Sequence, residues 1–583
     1  MVQSPFAHLL HTNYIPSDSE CARIRAFLTT SREDALRHKA EVVRLRGLLD
    51  EAALKHDAAC AELAAHKALI SPMRRMPDDV LRAVFLHTLP KTRNVVLGPK
   101  EGPLLLSLVC RRWRDVALST PRLWASLHIV IPTTSATANA LQSVVGAWLS
   151  RTGAVPLSMS TRVSRTRAQR HRWLPSSSDP GSDSFGTQLL AEVLLPVAPR
   201  WQEMELAISN RKDWDVLQTL KATDVPLLQY LNLQNEARYV ISSGQVELPD
   251  QPPKLPLLEG VSLRSFGYRG PHGSLPTSIP YRTLHHLNLH ISASDFPATM
   301  TFPPTFLQDC ESLKTLTLSL QGYNISVPQD ATVAYLPNLV RVMLDMHLAN
   351  DPLNASPFAV IQAPALRSLD LSVPVFNMPL ADLLRPVAHI TRLRVRVDRA
   401  EADSVIAGLR LLNDLEELEM FGDPIQSSTS APAAPANGFV GNVAMTFLPA
   451  AAGGAFLPPD FRPIMSDRTW LQPFITRTPE GGLALCPALR RLRLARVGAV
   501  SDALLLALLR ARRAALTHFS CKLLRERDAE VDVLAELERD GEDGLRVADV
   551  VLQYHKPHGV AEYSPMEGTE LEPTQFGTEF PPF

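Results

Sequence analysis

The chain has 583 residues, 45% of them hydrophobic, with 59 basic and 60 acidic side chains and a formal net charge of −1. That length exceeds one compact core and predicts several domains or an elongated repeat array. The charge balance excludes whole-molecule attraction to nucleic acid or anionic membrane.

Six cysteines (Cys21, Cys60, Cys110, Cys310, Cys486 and Cys521) are scattered without a CxxC pair or framework spacing. They read as reduced, buried thiols of an intracellular protein. The opening stretch MVQSPFAHLLHTNYIPSDSE lacks the charged head and apolar core of a signal peptide. The nearest approach to a membrane span, FVGNVAMTFLPAAAGGAFLPP at 439–459, is broken by proline and glycine. The expectation is a cytoplasmic or nuclear protein with no membrane and no nucleic-acid partner.

Residues 18–70 hold no proline and are rich in Ala, Leu, Glu, Lys and Arg, which are strong helix formers. Val42, Leu45, Leu49, Ala52, Ala59, Leu63 and Ile70 recur at heptad-like spacing, with His56 and His66 filling two further places. Two readings stay open: an amphipathic helix packed on its own chain, or a coiled-coil dimer.

Residues 71–127 read as a compact helical unit. Met76-Pro77-Asp78-Asp79 opens a helix, because proline is tolerated in the first turn and the acids suit the positive end of the helix dipole. Val80, Leu81, Val84 and Phe85 then share a face. After the loop KTRNVVLGPKEG, a second helix is expected from about Pro103, with Leu105, Val109 and Trp113 as one stripe and Leu104 and Leu108 as another. An apolar surface wider than one stripe needs two coverings, one by its own domain and one by something else. Thr120-Pro121 ends that helix and leads into a strand.

Residues 124–550 repeat the pattern L-x-x-L-x-L. It is loosely kept in LLQYLNL, LLEGVSL (Leu258, Val261, Leu263), LHHLNL, LKTLTL, LVRVML, LRSLDL, ITRLRV, LEELEM and LRRLRL. Starts from Leu228 to Leu415 are separated by 30, 26, 29, 26, 27, 24 and 25 residues. Weaker copies are WASLHI, WQEMEL and LTHFSC. A period of this size, with a short strand and a returning segment, is the mark of a solenoid. Segments 160–186 and 422–482 break the period and read as mobile insertions. The tail 556–583 reads as loose, polar and acidic.

MPDDVLRAVFLHTLP followed by LLLSLVCRRWRDVALSTPRLWASL resembles an F-box. In that family this module docks substrate receptors on the Skp-family adaptor of SCF ubiquitin ligases. The ALSTPRLW segment, the long preceding helix and the degenerate leucine-rich repeats resemble F-box proteins common in mushroom-forming fungi (basidiomycetes). The resemblance implies that Pro77, Val80, Leu81, Phe85, Leu105, Val109 and Trp113 contribute to adaptor docking. The alternative is that all seven only fill a helical core. The sequence departs from regular repeats where Asn or Cys usually follows the motif: Phe266, Ser292, Gln321, Pro374 and Asp398 stand there.

In these strands the leucines face inward, so the intervening positions stack into outward columns. For LLEGVSL these are Gly260, Ser262 and Arg264. The later columns alternate in sign: Arg392, Arg394 and Arg396, then Glu417 and Glu419, then Arg491 and Arg493. They read either as a salt-bridge ladder on a solvated face or as a charge-patterned surface for a target protein. On the second reading, alanine at Arg392, Arg394 and Arg396 weakens capture without unfolding the chain.

No phosphate loop, HExxH, GxSxG or strand-linked GxGxxG motif occurs. His286 and His290 share a strand face but stand about 13 Å apart at roughly 3.3 Å per residue, too far to share one zinc. No cofactor, metal or catalytic residue is expected. The fold expected is α/β: a long N-terminal helix, a helical F-box and an irregular leucine-rich-repeat solenoid (18–70, 71–127 and 124–555). The function expected is the non-enzymatic substrate-recognition subunit of an SCF-type ligase, reaching a cullin-RING ligase through the adaptor and holding an unidentified target. The alternatives are a protein-interaction scaffold without ubiquitin transfer and a repeat-domain inhibitor of another protein.

Overall fold

The computed structural model describes residues 4–132, 135–163, 184–235, 252–260, 262–292, 298–302, 304–328, 330–348, 356–372, 378–397, 402–421, 425–426, 461–462, 468–479, 481–497, 500–523, 531–540 and 545–554. The chain divides into two compact units, Met1–His87 and Thr88–Phe583.

The first unit is helical. Its helix α1 spans Asp18–Leu69. Ser17 and Glu20 cap it: the Ser17 hydroxyl and main-chain N–H both donate to the Glu20 carboxylate, at 2.7 and 2.9 Å. That contact, with the Tyr14 hydroxyl, holds the Glu20 carboxyl below its usual range. Short α2 (Pro72–Arg75) and the ten-residue α3 (Asp78–His87) follow. From Ala35 onward every described side chain of α1 is exposed.

The second unit begins with two short helices, α4 (Leu104–Val109) and α5 (Arg111–Leu118). The sequence reading of one helix across this stretch is corrected here. Cys110 between them is extended (φ −159°, ψ 171°), and its sulfur accepts the Trp113 N–H as the N-cap of α5. The Arg114 guanidinium donates to the Ser107 carbonyl at 3.0 Å and pins the corner. Trp113 therefore leaves the Leu105–Val109 stripe. Trp124 is core: its indole N–H donates to Ala117 O at 2.9 Å, and it meets Trp148 edge-on at 4.8 Å. Cys60 and Cys110, expected to be buried, are instead exposed.

The rest of this unit is a parallel sheet wound in sequence order with helices and short turns between strands, a mixed α/β solenoid-like arrangement. Its strands are β1 (Ser126–Ile131), β2 (Leu157–Val163), β3 (Trp201–Ile208), β4 (Tyr230–Asn235), β5 (Ser265–Pro271), β6 (His286–Ser292), β7 (Ala298–Thr301) and β8 (Thr315–Ser326). After the two-residue β9 (Ala334–Tyr335) come β10 (Arg341–Leu348), the two-residue β11 (Ile361–Gln362), β12 (Ser368–Ser372), β13 (Arg392–Arg396) and β14 (Glu417–Phe421). The pair β15 (Ile425–Gln426) and β16 (Phe461–Arg462) is antiparallel and separate. Then β17 (Arg491–Val497), β18 (His518–Leu523) and β19 (Val550–Tyr554) close the sheet. β7 lies beside β8, and β9 pairs with β11 apart from the main sheet.

Two devices repeat at each step from β4 to β18. The first motif leucine or isoleucine, at 228, 263, 284, 313, 339, 366, 390, 415 and 489, is at most 1% exposed. The carbonyl of the residue that follows it accepts two successive N–H groups from the next coil. Gln229 O takes Arg264 and Ser265, Arg264 O takes His285 and His286, and His285 O takes Lys314 and Thr315. The series continues through Lys314, Val340, Arg367, Thr391, Glu416 and Arg490, at 2.7–3.2 Å throughout. These main-chain bonds keep the coil entrances regular without the Asn or Cys ladder. Of the residues at the departing positions, Pro374 and Asp398 lie outside the described residues.

Phe266 lies inside β5, so the strand is not LLEGVSL. Leu258 ends a 3₁₀ turn, Leu263 is the first motif leucine, and the strand runs L-x-x-F-x-Y with Phe266 and Tyr268 buried. Aromatic side chains fill the places that leucine fills elsewhere, which misaligned the template. Val261 lies outside the described residues. The outward positions are therefore Ser265, Gly267 and Arg269, not Gly260, Ser262 and Arg264. A Cβ on Gly267 would come within 2.6 Å of Asn232 Oδ1, so a larger residue there requires the Asn232 side chain to move.

The expected insertions are narrower than 160–186 and 422–482. β2 runs to Val163, a helix starts at Ser184, and another helix occupies Arg468–Ile475. Apart from β15, β16 and the residues that follow the second helix, the remaining parts of both segments, and the 556–583 tail, lie outside the described residues. Arg512, fully buried, fastens the return from the second segment: its guanidinium donates to the carbonyls of Phe474, Cys486 and Leu485. Burial pulls its pKa down to about 10, leaving it charged at neutral pH. Arg512→Met orphans three buried carbonyls. It is expected to cost about 3 kcal/mol or more, since hydrogen bonds to charged groups contribute roughly 1.5–3 kcal/mol each. Chemical denaturation checks this.

Candidate protein-interaction surfaces

The sequence-derived docking residues separate by burial. On α3, Leu81 and Phe85 are fully buried, while Val80 is 42% exposed and Val84 38%. Pro77, one residue before α3, is exposed. On α4, Leu105 is 44% and Val109 56% exposed, and Leu108, absent from the sequence-derived set, is 63% exposed. Trp113 is half-buried. The apolar pairs thus divide in the way i, i+3 and i+4 helical geometry divides them, one side chain inward and its neighbour outward.

The loop between α3 and α4 has a task that its sequence did not show. Val96 forms a parallel bridge to His128 on β1, and His128 N–H donates to Val95 O. The Asn94 amide sits 2.8–3.1 Å from the hydroxyls of Ser126, Ser158 and Ser160. Arg93 and Glu101 pair across the loop, and Glu101 also accepts the Val96 N–H. The segment covers the first edge of the sheet, which would otherwise present unpaired main-chain groups.

On the polar face of the sheet, parallel register stacks Ser368, Arg392, Glu417, Arg491 and His518 in one column and Asp370, Arg394, Glu419 and Arg493 in the next. Arg392 Nε lies 2.7 Å from Glu417, which also meets Arg491 at 3.0 Å. Arg394 bridges Asp370 at 3.0 Å and Glu419 at 3.2 Å, and Glu419 meets Arg493 at 3.5 Å. The Arg394 guanidinium also stacks 4.1 Å from the Phe421 ring centre. Burial alone would lower the Arg394 pKa, but Asp370 and Glu419 hold it above the usual value. Burial pushes the Asp370 carboxyl up, against the pull of Arg394. Asp370 is the member that sequence reasoning left out of the candidate site. Its signal was a carboxylate one strand before the triple-arginine strand, in the Arg394 column.

The ladder grades from structural to accessible. The Asp370 side chain is 7% exposed and Arg394 31%, against 61% for Arg491 and 58% for Arg493. Alanine at Arg394 strips a buried carboxylate of a partner, so the triple-alanine change at Arg392, Arg394 and Arg396 is not neutral for folding. Arg394→Ala is expected to cost about 1–3 kcal/mol. Arg491→Ala is expected to stay within about 0.5 kcal/mol. Urea unfolding of the two variants separates these outcomes.

Three histidines of the same face, His128, His286 and His290, have pKa values pulled below the usual range. His286 Nδ1 lies 2.6 Å from the Thr315 hydroxyl. Burial, then the Arg269 charge, pulls the His290 pKa from 6.5 to about 4, against a weaker upward pull from Asp345. His128 is lowered by burial and by Arg162 and Arg93. His286 is lowered by burial and by His285, Lys314 and Arg341. Below pH 6.5 the unfolded chain takes up protons that the folded chain refuses, so stability falls as pH drops toward 4. Each such proton is worth about 1.4 kcal/mol per pH unit. His290→Gln should flatten the fall in stability between these limits; an unchanged pH profile refutes the assignment.

An F-box-like family model matches residues 73–130, so the chain carries an F-box-like domain there. The division between the two compact units falls within that match. No curated protein sequence matches the chain. Among solved structures, the chain is similar to one described as "Structure of the Toll - Spatzle complex, a molecular hub in Drosophila development and innate immunity". The identity is 10%, the TM-score 0.22, and the match covers 73% of this chain and 64% of that one, a likeness too low to define a shared fold.

Proposed function

We propose that this chain is the substrate-recognition subunit of an SCF-type ubiquitin ligase. The observation that carries the reading is the F-box-like match at 73–130, with apolar side chains left in solvent on α3 and on α4. In the first unit Val80 and Val84 on α3 are docking residues for the Skp-family adaptor, with Pro77 setting the start of that helix and Leu81 and Phe85 buried behind it. In the second unit Leu105, Leu108 and Val109 on α4 are docking residues as well, and Trp113 follows on α5. Burying an apolar side chain of this size contributes about 1.5–3 kcal/mol, so a few suffice to drive association.

The target-binding role falls to the leucine-rich-repeat sheet. The outer ends of Arg392, Arg491 and Arg493, with Glu417 between them, present alternating charge to a complementary protein surface. The protein performs no chemistry in this reading. It raises the local concentration of a target beside the cullin-RING ligase recruited by the adaptor. The compartment is the cytoplasm or nucleus, and the ALSTPRLW segment supports kinship with F-box proteins of mushroom-forming fungi. A scaffold that binds the adaptor without directing ubiquitin transfer is the second reading, favoured by the exposed helix α1.

Co-expression with the Skp-family adaptor tests the proposal. The parent chain should co-purify with it, and Val80→Asp/Leu105→Asp/Val109→Asp should lose at least 90% of the adaptor at an unchanged melting temperature, as these side chains are already in solvent. A parent chain that does not retain the adaptor removes the reading. Retention without accelerated turnover of any bound protein leaves the scaffold.

A further inference from the structure

α1 has a sequence logic that its own unit leaves unused. Residues before it fold back only along its first turns: Phe6 meets Phe27 edge-on at 6.1 Å, and the Cys21 thiol reaches Pro16 O at 3.8 Å. Beyond residue 34 every described side chain of the helix is exposed. Val42, Leu45, Leu49 and Leu63 are 46%, 51%, 69% and 54% exposed. A helix of this length draws most of its stability from a packed apolar face.

The exposed stretch keeps strict seven-residue register. Ala35, Val42, Leu49, His56, Leu63 and Ile70 fall at one seam position, a. His38, Leu45, Ala52, Ala59 and His66 fall at the other, d. A β-branched residue at a with leucine at d, as in Val42 and Leu45, favours two strands.

The flanking charges choose the partner and its direction. In a parallel, in-register pair each g residue faces the e residue five places on in the other chain. That sets Asp34 against Lys39, Glu41 against Arg46 and Glu62 against Lys67. The other facing pairs, Leu48 with Ala53 and Lys55 with Cys60, carry no like charges. Antiparallel pairing would set e against e, where the only charges are the basic Lys39, Arg46 and Lys67. We propose that α1 pairs with α1 of a second copy of this chain, parallel and in register, as a two-stranded coiled coil over residues 35–70. The proposal is independent of adaptor docking.

Light scattering on the purified full chain, with adaptor absent, is the first measurement. At about 10 μM and above the mass should be twice 64.2 kDa, and Leu49→Asp should return it to one chain at an unchanged melting temperature. Glu41→Lys should raise the dimer Kd about tenfold, and Glu41→Lys/Arg46→Glu should restore it. Loss of the Glu41–Arg44 contact within the helix is common to both variants, so rescue reports the contact between chains. Direction is read by Leu45→Cys in a Cys21→Ser/Cys60→Ser/Cys110→Ser background, where mild oxidation should link the two copies. A monomeric parent, or a dimer indifferent to Leu49→Asp, overturns the proposal. A dimer without rescue or without the cross-link overturns the parallel register.

Discussion

From β4 to β18 one main-chain carbonyl at each step accepts two successive N–H groups from the following coil, beside a motif leucine or isoleucine that is almost wholly buried. The alignment of that part of the sheet depends on this junction. It sets the height at which each strand starts, so the inward residues Leu287, Leu316, Val342 and Leu369 stack directly. With the start set, the side-chain period of two puts every polar residue on the opposite face in an aligned column. Because the junction uses main-chain groups, it tolerates sequence drift: aromatic side chains replace leucine in β5, and Thr161 and Cys521 occupy inward places in β2 and β18.

The alternating charges are a consequence of this alignment before they are a site. Parallel pairing at about 4.8 Å between strands would set like charges against each other if β13 and β14 both carried arginine. The interposed glutamates relieve that repulsion and tie β12 to β17 through Asp370, Arg394, Glu419 and Arg493. Burial falls along the series. The inner pair holds strands together, and the outer arginines keep their charge in solvent. One ladder therefore runs from buried, structural ion pairs to accessible charges, and the boundary between them is an exposure gradient.

The F-box-like block shows the same division at shorter range. Leu81 and Phe85 belong to a core, and Val80 and Val84 on the same helix do not. The loop after α3 is committed to capping the first strand through Asn94, Val95 and Val96. Its length thus has a local physical cause in the edge it covers.

Much of this was legible in the sequence. The proline-free run wrote α1, Met76-Pro77-Asp78 wrote the start of α3, and the leucine period wrote most of the sheet, because helix propensity and side-chain periodicity are local properties. The charge alternation was legible too, since equivalent residues one repeat apart must face each other in a parallel solenoid. Other features needed the tertiary structure. The extended Cys110 breaks a helix whose residues all permit helix, because a side-chain cap and the Arg114–Ser107 contact favour a corner there. The strand at β5 follows Leu263 rather than Leu258, because pairing with β4 and β6 places Phe266 and Tyr268 in the inward register. Burial separated Leu81 from Val80 and Arg394 from Arg491, and burial depends on what the rest of the chain brings alongside. Local pattern decided which elements form and which residues share a face; only long-range packing decided which of those faces is covered.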